Sequence, residues 1–238
     1  MNYDVKIGSK TISVLVTRKS IKKVRLKVFP SGGICISVPL DTPDEWISKF
    51  LKEKQEWIRD KVSQFEKTKA IEKELNIRSG VSTRILGRQL IIQIENASQK
   101  RIRRSDNKLF LYTPNPQDQA KVDKQFNNWW QRSSKEYFIS VLDKLYPIIR
   151  KHGIDKPEIV VKKMSTLWGS CSRKTGRIYL NFYLYRASRP CIEYVILHEL
   201  THFLYPRHNK DFNNFITIHI PDWNDRKKQL DYEIVLGI

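Results

Sequence analysis

Two histidines four residues apart, with a glutamate directly after the first, are the side chains of this sequence best suited to chemistry. They lie in the stretch Tyr194-Val195-Ile196-Leu197-His198-Glu199-Leu200-Thr201-His202-Phe203-Leu204. Residues four apart share one face of an α-helix, so His198 and His202 can reach a single ion. Glu199 is displaced around the helix, where its carboxylate can meet a metal-bound water instead. Two neutral imidazoles as ligands and a carboxylate as general base are the working parts of a zinc hydrolase. Pro206 predicts the end of the helix after Tyr205. The chain can then turn back and deliver His208 to the same ion, and three His with a water complete a tetrahedral catalytic site. The sequence holds only five His, which makes chance placement of the pattern rare.

The spacing from His198 through His202 to His208 equals that of the metzincin motif His-Glu-x-x-His-x-x-Gly-x-x-His. Two features depart from it. Tyr205 stands at the Gly position, and Met1 and Met164 are the only methionines, so no downstream Met-turn exists. The chain is therefore not read as a metzincin.

Other residues are candidates for supporting roles. Tyr205 can donate a hydrogen bond to an oxyanion. Asn181 can hydrogen-bond across the metal helix, and Asp211 or Asp222 can orient a ligand imidazole through its free N–H. Cys171, in Trp168-Gly169-Ser170-Cys171, can be a thiol ligand or nucleophile, but a packed thiol supporting the site is the preferred reading. Gly169 permits a close turn. His152 and His219 have no motif around them and are read as structural.

The elements that must position these residues follow from periodicity. Residues 3–38 predict a β-meander, with Lys22-Lys23-Val24-Arg25-Leu26-Lys27-Val28 alternating basic and apolar and Pro30-Ser31-Gly32-Gly33 as a turn. A helix is expected over about 43–75, with Trp46, Phe50, Trp57, Ile58, Val62 and Phe65 as its apolar stripe. Strands return over 83–113, including Lys100-Arg101-Ile102-Arg103-Arg104. Thr113-Pro114-Asn115-Pro116 marks the expected boundary between a β-rich region, 1–113, and a second domain, 114–238. A long helix is expected from about Asp118 to Lys151, with Trp129-Trp130 read as core packing in preference to a stacking platform. A small sheet over 158–181 precedes the metal helix, which starts at Arg189-Pro190, and two further helices follow. The fold class is α+β.

Composition sets the outer bounds. The chain has 238 residues, 40% of them apolar, enough for one large domain or two small ones. No stretch approaches a membrane span, and Met1-Asn2-Tyr3-Asp4-Val5-Lys6 does not read as a signal peptide. Cys35, Cys171 and Cys191 are odd in number and widely spaced, as expected of reduced thiols in a cytoplasmic protein. The net charge is +19, which suits a polyanionic partner or a generally basic surface. Arg101, Arg103 and Arg104 form the densest positive site and are candidate nucleic-acid contacts. The alternative is a charged edge strand.

Taken together the sequence resembles the YgjP-like metallopeptidase family. The resemblance is carried by Trp168-Gly169-Ser170-Cys171-Ser172, Ile178-Tyr179-Leu180-Asn181, Tyr194 to His202, Pro206, His208, Phe212 and Pro221-Asp222-Trp223, and its specific part covers about residues 158–231. It implies a zincin-like catalytic domain in which a backing helix and the His-Glu-x-x-His helix pack beside a small sheet, after an N-terminal β-rich domain. It assigns one zinc ion to His198, His202 and His208 and general-base work to Glu199. It also suggests kinship with SprT and WLM-type metalloproteases, some of which act on proteins at DNA.

Three readings follow. The leading one is a cytoplasmic zinc-dependent hydrolase, a metallopeptidase acting on a peptide or protein substrate, without a membrane partner. The second is a zinc-dependent nucleotide phosphohydrolase, which no Gly-rich phosphate loop or carboxylate-rich two-metal cluster supports. The third is a basic nucleic-acid-binding module carrying a zinc domain.

Overall fold

The structure, a computed structural model, describes residues 2–7, 10–28, 33–68, 77–164 and 167–235. Their contacts form two compact units, Met1–Lys73 and Glu74–Glu233. Both mix strands and helices, and the fold class is α+β.

In the first unit, β1 (Asn2–Ile7) pairs antiparallel with β2 (Lys10–Lys19), and β3 (Arg25–Val28) with β4 (Ile34–Pro39). The sheet order is β1-β2-β4-β3, with β2 and β4 parallel. The expected meander is corrected: β3 passes to the outer edge and its return strand pairs with β2. Burial explains the choice. β4 buries Ile34, Ile36 and Val38, whereas β3 exposes Arg25 and Lys27, and a strand of alternating cations is better placed at an edge. Residues 30–32 of the expected turn lie outside the described residues.

The single helix expected at 43–75 is two helices, α1 (Asp44–Glu53) and α2 (Gln55–Thr68), with 69–75 outside the described residues. Lys54 between them leaves the helical region at φ −91°, ψ 4°. The break lets both short helices lay an apolar face on one core, where Ile47, Leu51, Ile58 and Val62 meet Val14, Ile36 and Val38. Trp46 and Trp57, expected in the buried stripe, are 42% and 41% exposed. Ile58 and Val62 of that stripe are buried as expected, and on α1 the burying positions are instead Ile47 and Leu51, one residue after Trp46 and Phe50 respectively.

The second unit opens with another four-stranded sheet: β5 (Ser82–Ile85), β6 (Arg88–Asn96), β7 (Arg101–Ser105) and β8 (Lys108–Thr113). Its order, β5-β6-β8-β7 with β6 and β8 parallel, repeats the connectivity of the first sheet. Contacts group it with the C-terminal half and not with the N-terminal strands, so the division falls after Lys73 where 113 was expected. The β5–β6 turn explains this. Leu86 N–H donates to Tyr185 O at 2.9 Å and Gly87 N–H to Arg186 O at 3.1 Å. A Cβ on Gly87 would lie 3.0 Å from Ser188 Cα, and its φ is +81°, so glycine is required there twice over.

The backing helix α3 spans Gln119–Arg150 and is capped by the Asp118 side chain, which accepts from Lys121 N–H. Trp130 is fully buried and its indole N–H donates to Phe182 O at 2.8 Å. Phe126, Phe182 and Tyr185 surround it. The small sheet is β9 (Glu158–Lys162), β10 (Gly169–Ser172) and β11 (Arg177–Asn181), in the order β10-β11-β9. A 3-10 segment, Phe182–Arg186, leads into α4 (Arg189–Leu204), followed by α5 (Lys210–His219) and α6 (Trp223–Val235). No helix among the described residues is long and apolar enough to cross a membrane.

Candidate metal centre

α4 carries the first two histidines because its sequence makes it a buried helix. Pro190 sits in its first turn, where a missing N–H costs nothing. Ile192, Val195, Ile196, Leu197 and Leu200 are all buried, so the helix packs on more than one side and its polar residues open into the site. The helix stops at Leu204. Tyr205 precedes Pro206 and is extended at φ −120°, ψ 99°, as the proline ring demands of the residue before it. That turn brings His208 back over the helix.

The three imidazoles converge. His198 Nε2 and His208 Nε2 lie 3.0 Å apart, and one nitrogen from each of His198, His202 and His208 lies within 4.8 Å of the others. Two nitrogens at about 2.0–2.1 Å from one tetrahedral zinc are separated by about 3.3 Å, so the cluster needs little adjustment to hold an ion. Among the described residues it is the one group of three or more His, Cys, Asp or Glu able to do so.

The ligands are also chemically prepared. Burial, with His202 and His208 adding to it, pushes the His198 pKa down to about 3. Its ring is therefore neutral, with a lone pair to donate. Burial lowers His202 as well. His202 Nδ1 lies 3.1 Å from Tyr205 O, which fixes that nitrogen as the N–H donor and leaves Nε2 for a metal. Tyr194, one turn before His198, places its hydroxyl 3.5 Å from His198 Nδ1. The buried Phe212 seats all three rings, at centroid distances of 4.9, 4.8 and 4.7 Å from His198, His202 and His208.

Glu199 faces β10. It is buried, and burial raises its pKa to about 7, against the opposing backbone N–H of Cys171, which donates to the carboxylate. A carboxyl balanced near neutrality can both take and return a proton. Gly169 makes room for it: an added Cβ would lie 2.7 Å from Glu199 Cγ.

The remaining expected residues fall elsewhere. The Tyr205 ring packs on Phe215, and its carbonyl, not its hydroxyl, meets the cluster. Asn181 does not bond α4. Its amide donates to Met164 O at 2.7 Å and Leu167 O at 2.9 Å, and its Oδ1 accepts from Tyr183 N–H. Asp211 is exposed in the first turn of α5 and makes no hydrogen bond to an imidazole. Asp222 pairs with Arg226 at 3.0 Å, and Arg226 continues to Glu193 and Pro190 O near the start of α4. Cys171 is half-buried with its thiol pKa pushed up to about 12 by burial, which removes it as a ready thiolate. None of the three cysteines forms a disulfide among the described residues. Arg101, Arg103 and Arg104 lie on β7, the edge of the second sheet.

Gly169 as clearance and Phe212 as a seat were given no such roles from sequence. For Phe212 a signal existed, since it stands four residues after His208 on the following helix. For Gly169 none did, because its partner is thirty positions away on another element.

A family model described as YgjP-like, metallopeptidase domain, matches residues 22–233. Among solved structures, the metallopeptidase zymogen jannalysin of Methanocaldococcus jannaschii aligns at 22% identity and TM-score 0.36, covering 41% of this chain and 96% of that one. No curated protein sequence matches.

Proposed function

The chain belongs to the YgjP-like metallopeptidase domain family, and from that premise we propose that it is a zinc-dependent peptidase working through His198, His202, His208 and Glu199. The observation that carries this reading is the convergence of three imidazoles beside one buried carboxyl balanced near neutrality.

The three His would hold the ion, and zinc bound there would supply Lewis acidity to the scissile carbonyl and to the attacking water. Glu199 takes the proton of that water and returns it to the leaving amine. The Cys171 N–H and the Gly169 backbone fix where the carboxylate sits. The Tyr205 carbonyl and the Phe212 ring fix the imidazoles. Nucleotide phosphohydrolysis through two metals has no support among the described residues, which offer a single metal-binding cluster. We place the enzyme in the cytoplasm, in keeping with three cysteines that form no disulfide among the described residues.

Elemental analysis and turnover of a quenched-fluorescence peptide library test the proposal together. One zinc per chain is expected, with at least tenfold weaker binding in His208→Ala, since a ligand is lost. Glu199→Gln should keep its zinc and lose about 10²–10⁴-fold in turnover. Full turnover by metal-loaded Glu199→Gln would overturn the general-base role.

A further inference from the structure

The second unit carries a basic groove between edge strand β7 and the N-terminal half of α3. We propose that this groove binds single-stranded nucleic acid. It measures about 440 Å³, and Lys100, Arg101, Lys124, Gln125, Trp129 and Arg132 are among the residues that line it.

Two features go beyond diffuse positive charge. First, Arg101 is preorganised. Its guanidinium lies over the Tyr112 ring at 4.8 Å, and Lys100, Arg101 and Lys124 form no ion pair among the described residues. Stacking fixes the guanidinium plane while leaving its N–H edge open, which suits bidentate capture of a phosphate. Secondly, the groove has an aromatic wall. Trp130 faces the core and is fully buried. Its neighbour Trp129, about 100° further round the helix, is only half-buried and lines the groove. An indole beside a row of cations can stack an unpaired base while the cations follow the backbone.

Phosphate charge and a base face in one ligand describe a nucleotide chain. The base must be unpaired, because a duplex keeps its base faces stacked and away from Trp129. An acidic peptide would satisfy the cations alone.

The test is fluorescence anisotropy of a short labelled oligo(dT) or oligo(U) with the full chain, at about 50 mM salt and above. Saturable binding that weakens linearly on a log–log salt plot is expected. Lys100→Glu/Lys124→Glu should weaken it about tenfold or more and flatten the salt slope by roughly one to two. Lys49→Glu/Lys52→Glu on α1, the same charge change in the other unit, should weaken it far less. Trp129→Phe, which keeps an aromatic ring against Phe126, should lower the quenching of protein fluorescence by oligo(dT) and leave the unfolding midpoint nearly unchanged. Equal weakening by the two charge-reversed pairs would reduce the effect to net charge and overturn the proposal. So would equal affinity for a duplex of the same length, equal competition by poly-glutamate, or displacement by thymidine monophosphate at the same nucleotide concentration. The readout is independent of zinc and of turnover, so it stands or falls separately from the peptidase reading.

Discussion

Gly169 and Glu199 are in contact across the β10–α4 interface: a Cβ on Gly169 would lie 2.7 Å from Glu199 Cγ and 2.8 Å from Oε1. The atoms in the way are Cγ, Cδ and Oε1 of one side chain, not backbone. Adding a methyl group there therefore shifts the glutamate and leaves the fold in place. What it costs is the position of the carboxylate. Gly169→Ala should fold with a melting temperature close to that of the parent and bind zinc normally. Its kcat should fall about 10²-fold, since an error of about 1 Å at a catalytic group has that consequence. Unchanged kcat would mean that the carboxylate tolerates displacement.

Asn181 gives the opposite pattern, a stability effect. Its amide satisfies two carbonyls of the 164–167 segment, and its oxygen caps the 3-10 segment. Asn181→Ala removes three hydrogen bonds and should cost about 1.5–4.5 kcal/mol at about 0.5–1.5 kcal/mol net for each. Asn181→Asp should not rescue it, because a carboxylate cannot donate to either carbonyl. Urea unfolding reads both variants, and rescue by Asp would show that the cap, not the two carbonyls, matters.

Cys171 serves the site through its backbone. With the thiol pKa raised from 9.0 to about 12, the thiolate fraction at neutral pH is on the order of a thousandfold lower than for an ordinary cysteine. Native Cys171 should resist iodoacetamide at pH 8, and denaturation should release it, as followed by peptide mass mapping. Cys171→Ala should keep turnover within about twofold, because the N–H that reaches Glu199 survives the substitution.

How far the sequence reaches depends on the distance over which a residue acts. His198, Glu199 and His202 lie on one helix, so a local period placed them. His208 needed only the stop at Pro206. The long helix α3 announced itself by its apolar period, and Arg189-Pro190 marked the start of α4. What sequence did not reveal was pairing between distant segments. The crossed order β1-β2-β4-β3 rests on which strand can be buried on both edges, and the split at Lys54 on which helix positions the sheet accepts. Trp129 and Trp130 read as one core pair, yet adjacent helix positions differ by about 100°, and one of them lines a groove. The second sheet belongs with the metal-binding unit through two backbone hydrogen bonds at Leu86 and Gly87, which no side-chain pattern records.

The buried carboxyl of Glu199 ties stability to pH in a direction that can be worked out. Its folded pKa is about 7, above the ordinary 4.5. Between these values the folded protein holds a proton that the unfolded chain has released, so stability falls as pH rises through the window. Above pH 7 the folded protein carries the full cost of a buried charge. Glu199→Gln has no such charge. His198, with its pKa depressed to about 3, pulls the other way below pH 6.5, but it does so in parent and variant alike and cancels from their difference. In zinc-free protein, Glu199→Gln should therefore gain stability over the parent on going from pH 5 to pH 8. The ceiling is about 3 kcal/mol for a shift of this size. Urea unfolding at the two pH values measures it. Zinc should shrink the gain, because a cation beside the carboxylate offsets the cost of ionising it. A pH-independent difference in the zinc-free state would mean that Glu199 titrates as an ordinary carboxylate, and its dual role as proton acceptor and donor near neutrality would lose its physical basis.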